Sequence, residues 1–293
     1  MKALIIINGY PSAEKFSRQG ERIATALRAL GVDTDVRKNG EIYACFNADG
    51  TVTTNAENYS FVVYLDKDKY LGEMLEKTGL RLFNCARAVE LCDDKMRTYT
   101  ALSKSGLALA TTIPAPLCYT KGANVNENYL DTVEKALGFP LVAKKSSGSF
   151  GEGVRLIKTR VALENTANEW LHTPHFFQRF IEESSGRDLR VIVIGNKAIG
   201  AMERVAQKGE FRSNVELGGV GKKVELLPAY RVAAERAAAT LGLDYCGVDL
   251  LETQNGPIVC EVNSNAFFDG FEQATGIDVA KAYAKYMVSE MQK

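Results

Sequence analysis

The 293-residue sequence is poor in the residues that build most metal and nucleophile sites. Two histidines, His172 and His175, are too few for a His-rich metal centre, have no Glu or third ligand beside them in sequence, and read as a loop pair around Pro174. A histidine-based triad is correspondingly disfavoured. None of the six cysteines, at 45, 85, 92, 118, 246 and 260, forms a Cys-x-x-Cys pair, which removes zinc-ribbon and thioredoxin-type readings. Cys246 and Cys260 sit in apolar runs and read as small buried hydrophobes. Neither sign of charge is in excess: Lys plus Arg is 36 and Asp plus Glu is 36, so a protein built to hold bare nucleic acid is not expected. The apolar run at residues 3–7 is too short for a signal-peptide core and far too short to span a bilayer. The expectation is a cytoplasmic protein with no membrane partner. G-x-G-x-x-G is absent after the first strand, which ends Asn8-Gly9-Tyr10-Pro11, and no Walker A motif is present either.

What is present alternates. A buried strand at residues 3–7, a helix carrying Phe16, Ile23, Leu27 and Leu30 and stopped by Gly31, a half-buried strand through Val32, Thr34 and Val36, a strand at 61–65, a helix at 71–80 and a strand beginning at Leu82 predict a small Rossmann-like α/β domain. A helix is predicted over 93–105, N-capped at Asp93 or Asp94 and stopped by Gly106. Beyond Pro114 and Pro116 strands dominate, at 141–145, 154–158, 176–181, 189–194, 248–252 and 258–262, with helices near 125–137, 227–241 and 279–291.

Strands 248–252 and 258–262 flank a loop containing Asn-Gly, a hairpin signal. With Asn255 at the tip, Leu250 faces Cys260 and Asp249 faces Glu261, so Asp249, Glu261 and Asn263 share one face, and Val248, Leu250, Cys260 and Val262 the other. Opposed carboxylates repel, and a set of oxygen donors without His or Cys suits a hard cation such as magnesium, usually shared with phosphate. The alternative is an exposed hairpin face with solvated acids. Lys144 and Lys145 end a strand and lead into Ser146-Ser-Gly-Ser-Phe-Gly-Glu-Gly153. Gly148, Gly151 and Gly153 let the backbone approach phosphates, Ser146, Ser147 and Ser149 add hydroxyls, and Phe150 can cap the tip; the alternative is a plain flexible turn. Lys95 is a second candidate cation, its alternative a solvated surface lysine. The segment 176–181 can sandwich a purine or be a core strand. Asp188 can accept from ribose hydroxyls, Arg190 can face an anion, and Arg204 and Arg212 are candidate anchors for phosphate or a substrate carboxylate. Gly218-Gly219-Val-Gly221 reads as a mobile loop near them.

This order, with Glu203-Arg204, Gly209-x-Phe211-Arg212-Ser-Asn214, Gly247-Val-Asp249, Glu261-Val-Asn263 and Ala274-Thr-Gly-Ile-Asp278, resembles the ATP-grasp superfamily, specifically the RimK-like carboxylate–amine ligases, over roughly residues 84–290. The resemblance implies a pre-grasp domain at 1–84, a linker helix and first grasp subdomain at 85–177, and a second subdomain at 178–293. It implies that Lys95 and Lys144 contact nucleotide phosphates beside Ser147, Gly148 and Gly151, and that Arg179 and Phe180, within the segment Gln178 to Ile181, line the adenine through backbone. It also implies that Asp188 binds ribose, that Arg212, Ser213 and Asn214 sit near the terminal phosphate, and that Asp249, Glu261 and Asn263 hold one or two Mg2+, with Mn2+ an alternative. Arg204 and Arg212 are the implied catalytic charges. The expected reaction activates a small-molecule or peptide carboxylate with ATP and joins it to an amino acid or other amine; self-association is left open. Asn265-Ala-Phe-Phe-Asp269 stands where glutamate-adding relatives carry Ser-Pro-Gly. A small-molecule kinase and a non-catalytic nucleotide-binding module are the alternatives.

Overall fold

The computed structural model describes residues 1–11, 13–148, 151–213 and 219–293. Ser149, Phe150 and Asn214, with Gly218, lie outside the described residues. The chain opens β1 (Lys2–Ile7), α1 (Glu14–Arg28), β2 (Asp33–Lys38), β3 (Ala44–Phe46), β4 (Val52–Thr54), β5 (Phe61–Leu65), α2 (Lys69–Lys77), β6 (Arg81–Phe83). The continuous apolar runs of β1 and β5 suit strands covered on both faces, and the four-stranded sheet β2-β1-β5-β6 is parallel throughout. Short β3 and β4 form a separate hairpin.

Next in the chain come two helices, α3 (Ala86–Asp93) and α4 (Lys95–Leu102). The sequence predicts one helix over 93–105. The chain instead breaks at Asp94, whose extended backbone starts a new helix and whose carboxylate accepts from the N–H groups of Met96 and Arg97. The break places Lys95 at the first helical position, where its own N–H donates to the Ser146 carbonyl at 2.8 Å.

A second sheet is built from β7 (Thr112–Pro114), β8 (Leu141–Lys145), β9 (Val154–Ile157) and β10 (His175–Arg179), in the antiparallel order β7-β10-β8-β9, covered by α5 (Glu127–Leu137) and α6 (Arg160–Glu169). The expected loop pair of histidines is not there: His175 opens β10, is 4% exposed and packs between Trp170 and Phe177. Its Nδ1–H donates to the Thr173 carbonyl. Burial pulls the imidazole below its ordinary 6.5, so the stability of the neutral ring is complete above that value and is lost as pH falls through it toward the folded value. The urea midpoint is therefore expected to drop between neutral and mildly acidic pH, and to drop less in His175→Phe. An equal drop in both proteins rules the residue out as a contributor.

The third sheet comprises β11 (Arg187–Ile194), β12 (Lys197–Val205) and β13 (Val220–Val224), then α7 (Pro228–Leu241), then β14 (Tyr245–Thr253) and β15 (Gly256–Asn263), in the antiparallel order β13-β12-β11-β14-β15. The alanine-rich face of α7 covers one side through Ala234, Ala237 and Ala238, packed against Val191, Val248 and Val262. Closing helices α8 (Asp269–Thr275) and α9 (Val279–Met291) return to the first sheet, where Tyr283 and Met287 share a core with Ile5, Phe61 and Phe83. A buried amide between the first and third sheets helps to tie them together. Asn84, 2% exposed, donates to the carbonyls of Tyr245 and Ser264, and its Oδ1 accepts from the N–H groups of Asp244 and Tyr245. All four bonds lie between 2.7 and 3.0 Å, so a buried amide is fully satisfied. Among the described residues no helix is long and apolar enough to cross a membrane.

Candidate active site

The β14–β15 hairpin sets the floor of the site. Its turn is tighter than the sequence predicts: Thr253 pairs with Gly256, leaving Gln254 and Asn255 at the tip. That register alone misplaces the acids by one residue. A bulge between Asp249 and Leu250 restores it, so Asp249 does face Glu261, and Gly247 faces Asn263. Leu250 faces Val259 rather than Cys260. Cys260 is thereby expelled from the apolar face, where Val248, Leu250, Val259 and Val262 stay buried, and its Sγ lies 3.8 Å from Lys144 Nζ. Burial pushes the Cys260 thiol up, against the pull of Lys144.

The carboxylate of Asp249, 3% exposed, is gripped from the neighbouring strands. Arg190 on β11 donates to it twice, Nε to Oδ1 and Nη2 to Oδ2, both at 2.8 Å. Arg204 on β12 reaches Oδ2 at 2.9 Å. Asn263 Nδ2 donates to the same oxygen at 3.3 Å. Burial pushes the Asp249 carboxyl up, but the guanidinium charges of Arg190 and Arg204 outweigh it and hold the group below the usual carboxylate range. Arg204 itself is 3% exposed; burial disfavours its charge, and Asp249 and Asp188 more than compensate. The ribose expectation for Asp188 meets a carboxylate already in use, since both of its oxygens accept from Arg204. Register explains the cluster: Arg190 stands opposite Asp249 across β11–β14, and Asp188 opposite Arg204 across β11–β12.

Lys95 proves buried rather than solvated, at 9% exposure. Its Nζ donates to the Gly148 carbonyl at 2.8 Å and lies 3.3 Å from Glu261. Lys144, also 9% exposed, rises from β8. Between β8 and β9 the backbone passes through Gly148 at φ 137° and Gly151 at φ 77°, conformations that side-chain-bearing residues avoid. Arg212 ties this loop to the third sheet, donating to the Gly151 carbonyl at 3.0 Å while its guanidinium forks onto Glu210. The Arg212 hydrogen bond draws Glu210 down to about 2.

One cavity of about 130 Å³ is lined by Lys95, Lys144, Gly148, Gly151, Gln178, Arg179, Phe180, Ile181, Asp188, Arg204, Arg212, Ser213, Asp249 and Glu261. The ladder of β10 stops at Arg179, so Phe180 and Ile181 reach the cavity beyond it. Phe176 and Phe177 are fully buried core, whereas Phe180 and Ile181, at the other end of the same segment, line the cavity. The Arg179 guanidinium turns away to the Ala136 carbonyl. Ser147 is not brought in: it is exposed, bridges Asp94 and lines a separate recess with Asp93 and Arg97. Asn263 lines a second cavity of about 270 Å³, shared with Asn8, Phe16, Asp66, Asn265 and Phe267. Glu261, Gly148, Gly151 and Arg204 line both cavities. Asn8, Phe16 and Asp66 carry no motif, and only the packing of the first sheet against residues 264–267 brings them here. Among the described residues no three His, Cys, Asp or Glu side chains are grouped so that they could hold a metal ion; the expected metal set depends on the amide of Asn263.

A model of the RimK-like ATP-grasp domain matches residues 92–287. The chain is 40% identical over 207 residues to a probable alpha-L-glutamate ligase of Vibrio vulnificus, covering 70% of this chain and 66% of that protein. It is 35% identical over 229 residues to beta-citrylglutamate synthase B of Danio rerio, covering 78% of this chain and 55% of that protein. The chain thus spans between about half and two thirds of the length of these two relatives. Among solved structures, D-alanine–D-alanine ligase from Bacillus anthracis superposes with a TM-score of 0.74 at 18% identity, over 100% of this chain and 98% of that one. The architecture is therefore a Rossmann-like α/β sheet followed by the ATP-grasp fold, as the sequence leads one to expect. The chain belongs to the RimK-like ATP-grasp family.

Proposed function

We propose that this chain is an ATP-dependent carboxylate–amine ligase. The observation that carries the reading is the convergence of Lys95, Lys144 and Arg212, from three separate elements, on one cavity floored by Asp249 and Glu261. Cations and glycine-loop backbone of this kind suit a triphosphate, and Phe180 and Ile181 at the end of β10 suit a purine. The donors for a metal also fit. Asn263 turns its Nδ2 to Asp249, which leaves its Oδ1 out of that contact, and Asp249 Oδ1 accepts from Arg190 with a lone pair to spare. With Glu261 these oxygens would hold one or two magnesium ions, which would neutralise charge on the phosphate oxygens.

In this reading a substrate carboxylate attacks the terminal phosphorus, giving an acyl phosphate and ADP. An amine, taken to be that of an amino acid, then displaces phosphate to give the amide. No enzyme nucleophile is needed; the chain supplies position and charge. Arg190 and Asp188 keep Asp249 and Arg204 in place. Because the names of both curated relatives refer to glutamate, that amino acid is the first to try. Asn265, Ala266 and Phe267, from the segment Asn265–Asp269, line the second cavity, and this is where acceptor choice would be made. The test is ADP release with a panel of carboxylates and amines, with and without hydroxylamine. Hydroxamate formation is expected. A phosphorylated hydroxyl acceptor would turn the reading to a kinase, and absence of ADP to a binding module.

A further inference from the structure

Two residues that line the second cavity each carry a buried acceptor with no partner among the described residues. Asp66 lies directly after β5 and is 3% exposed. Its Oδ1 accepts from Asn8 Nδ2 at 2.9 Å and from the Lys67 N–H at 2.7 Å. Its Oδ2 is buried with no hydrogen-bond partner among the described residues. Asn265 stands two residues beyond Asn263, and its Nδ2 donates to the Leu65 carbonyl at 2.9 Å. A carbonyl can only accept, which fixes the amide the right way round. Asn265 Oδ1 is therefore the second acceptor, and it too is buried without a donor among the described residues. Leu65 precedes Asp66, so the bond that orients Asn265 ties it to the backbone of the residue next to Asp66. Both residues line the same cavity.

An unmade hydrogen bond at a buried acceptor is costly, more so at a carboxylate. Two unused acceptors on the lining of one cavity, one of them a carboxylate oxygen, match a group with several donors and a positive charge. An ammonium has three donors and no acceptor. Two oxygens are too few for a hard-metal cage.

We propose that Asp66 and Asn265 form a subsite for the primary amino group of the molecule bound in this cavity. The inference rests on the ligase reading for the fate of that molecule, not for its binding. The amino group belongs either to the amine that is consumed or to an amino acid whose carboxylate is activated; both present the same ammonium.

The test is titration of the protein, saturated with magnesium and AMPPNP, with each proteinogenic L-amino acid, its N-acetyl form and its des-amino acid. At least one amino acid is expected to bind, with its N-acetyl and des-amino forms weaker by about tenfold or more. Asp66→Asn keeps the volume and Oδ1 but turns Oδ2 into a donor. It is expected to weaken the amino acid by about tenfold or more and to bind AMPPNP as wild type. Asn265→Ala gives a second variant with the same expected direction. Equal affinity for the amine-free forms, unchanged affinity in both variants, or binding of no amino acid overturns the proposal. Adding ATP and hydroxylamine separates the sources: a hydroxamate of the bound amino acid marks it as the carboxylate partner, and an amide with a second carboxylate marks it as the amine. Amine-selective binding without ADP release would leave the subsite standing and remove the ligase reading. Amide formation indifferent to both variants would do the reverse.

Discussion

Asp249→Asn is expected to abolish ADP release and to lower unfolding stability by about 3–5 kcal/mol, the range for breaking a buried ion pair. The second effect stems from the cluster around it. Asp249 accepts two guanidinium hydrogen bonds from Arg190 at 2.8 Å and forms an ion pair with Arg204 at 2.9 Å, in a position only 3% exposed. An asparagine there aims N–H groups at N–H groups on one side and supplies no charge on the other. Arg204 keeps Asp188, while Arg190 loses its carboxylate. Urea unfolding and coupled ADP release on the same preparation separate the two consequences. Wild-type turnover would remove Asp249 from the nucleotide chemistry. Lost turnover with unchanged stability would mean the arginines do not depend on it.

Lys144→Met is expected to separate function from stability. Lys144 is 9% exposed and, unlike Lys95, forms no salt bridge among the described residues; its Nζ lies beside the Cys260 thiol. A buried ammonium facing a thiol contributes little to folding, and methionine fills the same volume. Its charge is suited to an anion that arrives with the ligand. The variant should lose about 10²–10³ in kcat, or about 2.7–4 kcal/mol of barrier, as when one stabilising donor of a developing charge is removed. The urea midpoint should stay near wild type. A variant that unfolds easily and turns over normally would contradict both halves of the argument.

The strands that bury apolar runs, β1, β5, β8 and β14, are legible because periodicity reports burial directly. So is the pairing of Asp249 with Glu261, but for an incomplete reason. The predicted register presumes a regular ladder, and a bulge at Cys260 compensates for a turn of different length. Nothing in Val-Cys-Glu announces that bulge. Asp94 is legible as a helix cap, whereas α3, with only eight residues, is not separable from α4 by pattern. Both β12 and β13 escape a sequence reading because the first mixes charges and glycine into an apolar run and the second is mostly lysine and glycine. Lys95 illustrates the limit on the site: a lysine at a helix start reads as solvated until Gly148, some fifty residues on, is packed against it. Asp66 is invisible for the same reason, its significance lying in what Asn265 does two hundred residues later.

The wall shared by the two cavities, built from Glu261, Gly148, Gly151 and Arg204, bears on how wastefully such an enzyme would run. A mixed anhydride of carboxylate and phosphate is short-lived in water, so every encounter with solvent before the amine arrives discards one ATP. With nucleotide on one side of a single layer of residues and acceptor on the other, the intermediate would form at the partition and be consumed there. Leakage to water would then be governed by how well that thin partition stays closed, and the ratio of ADP released to amide formed would report it.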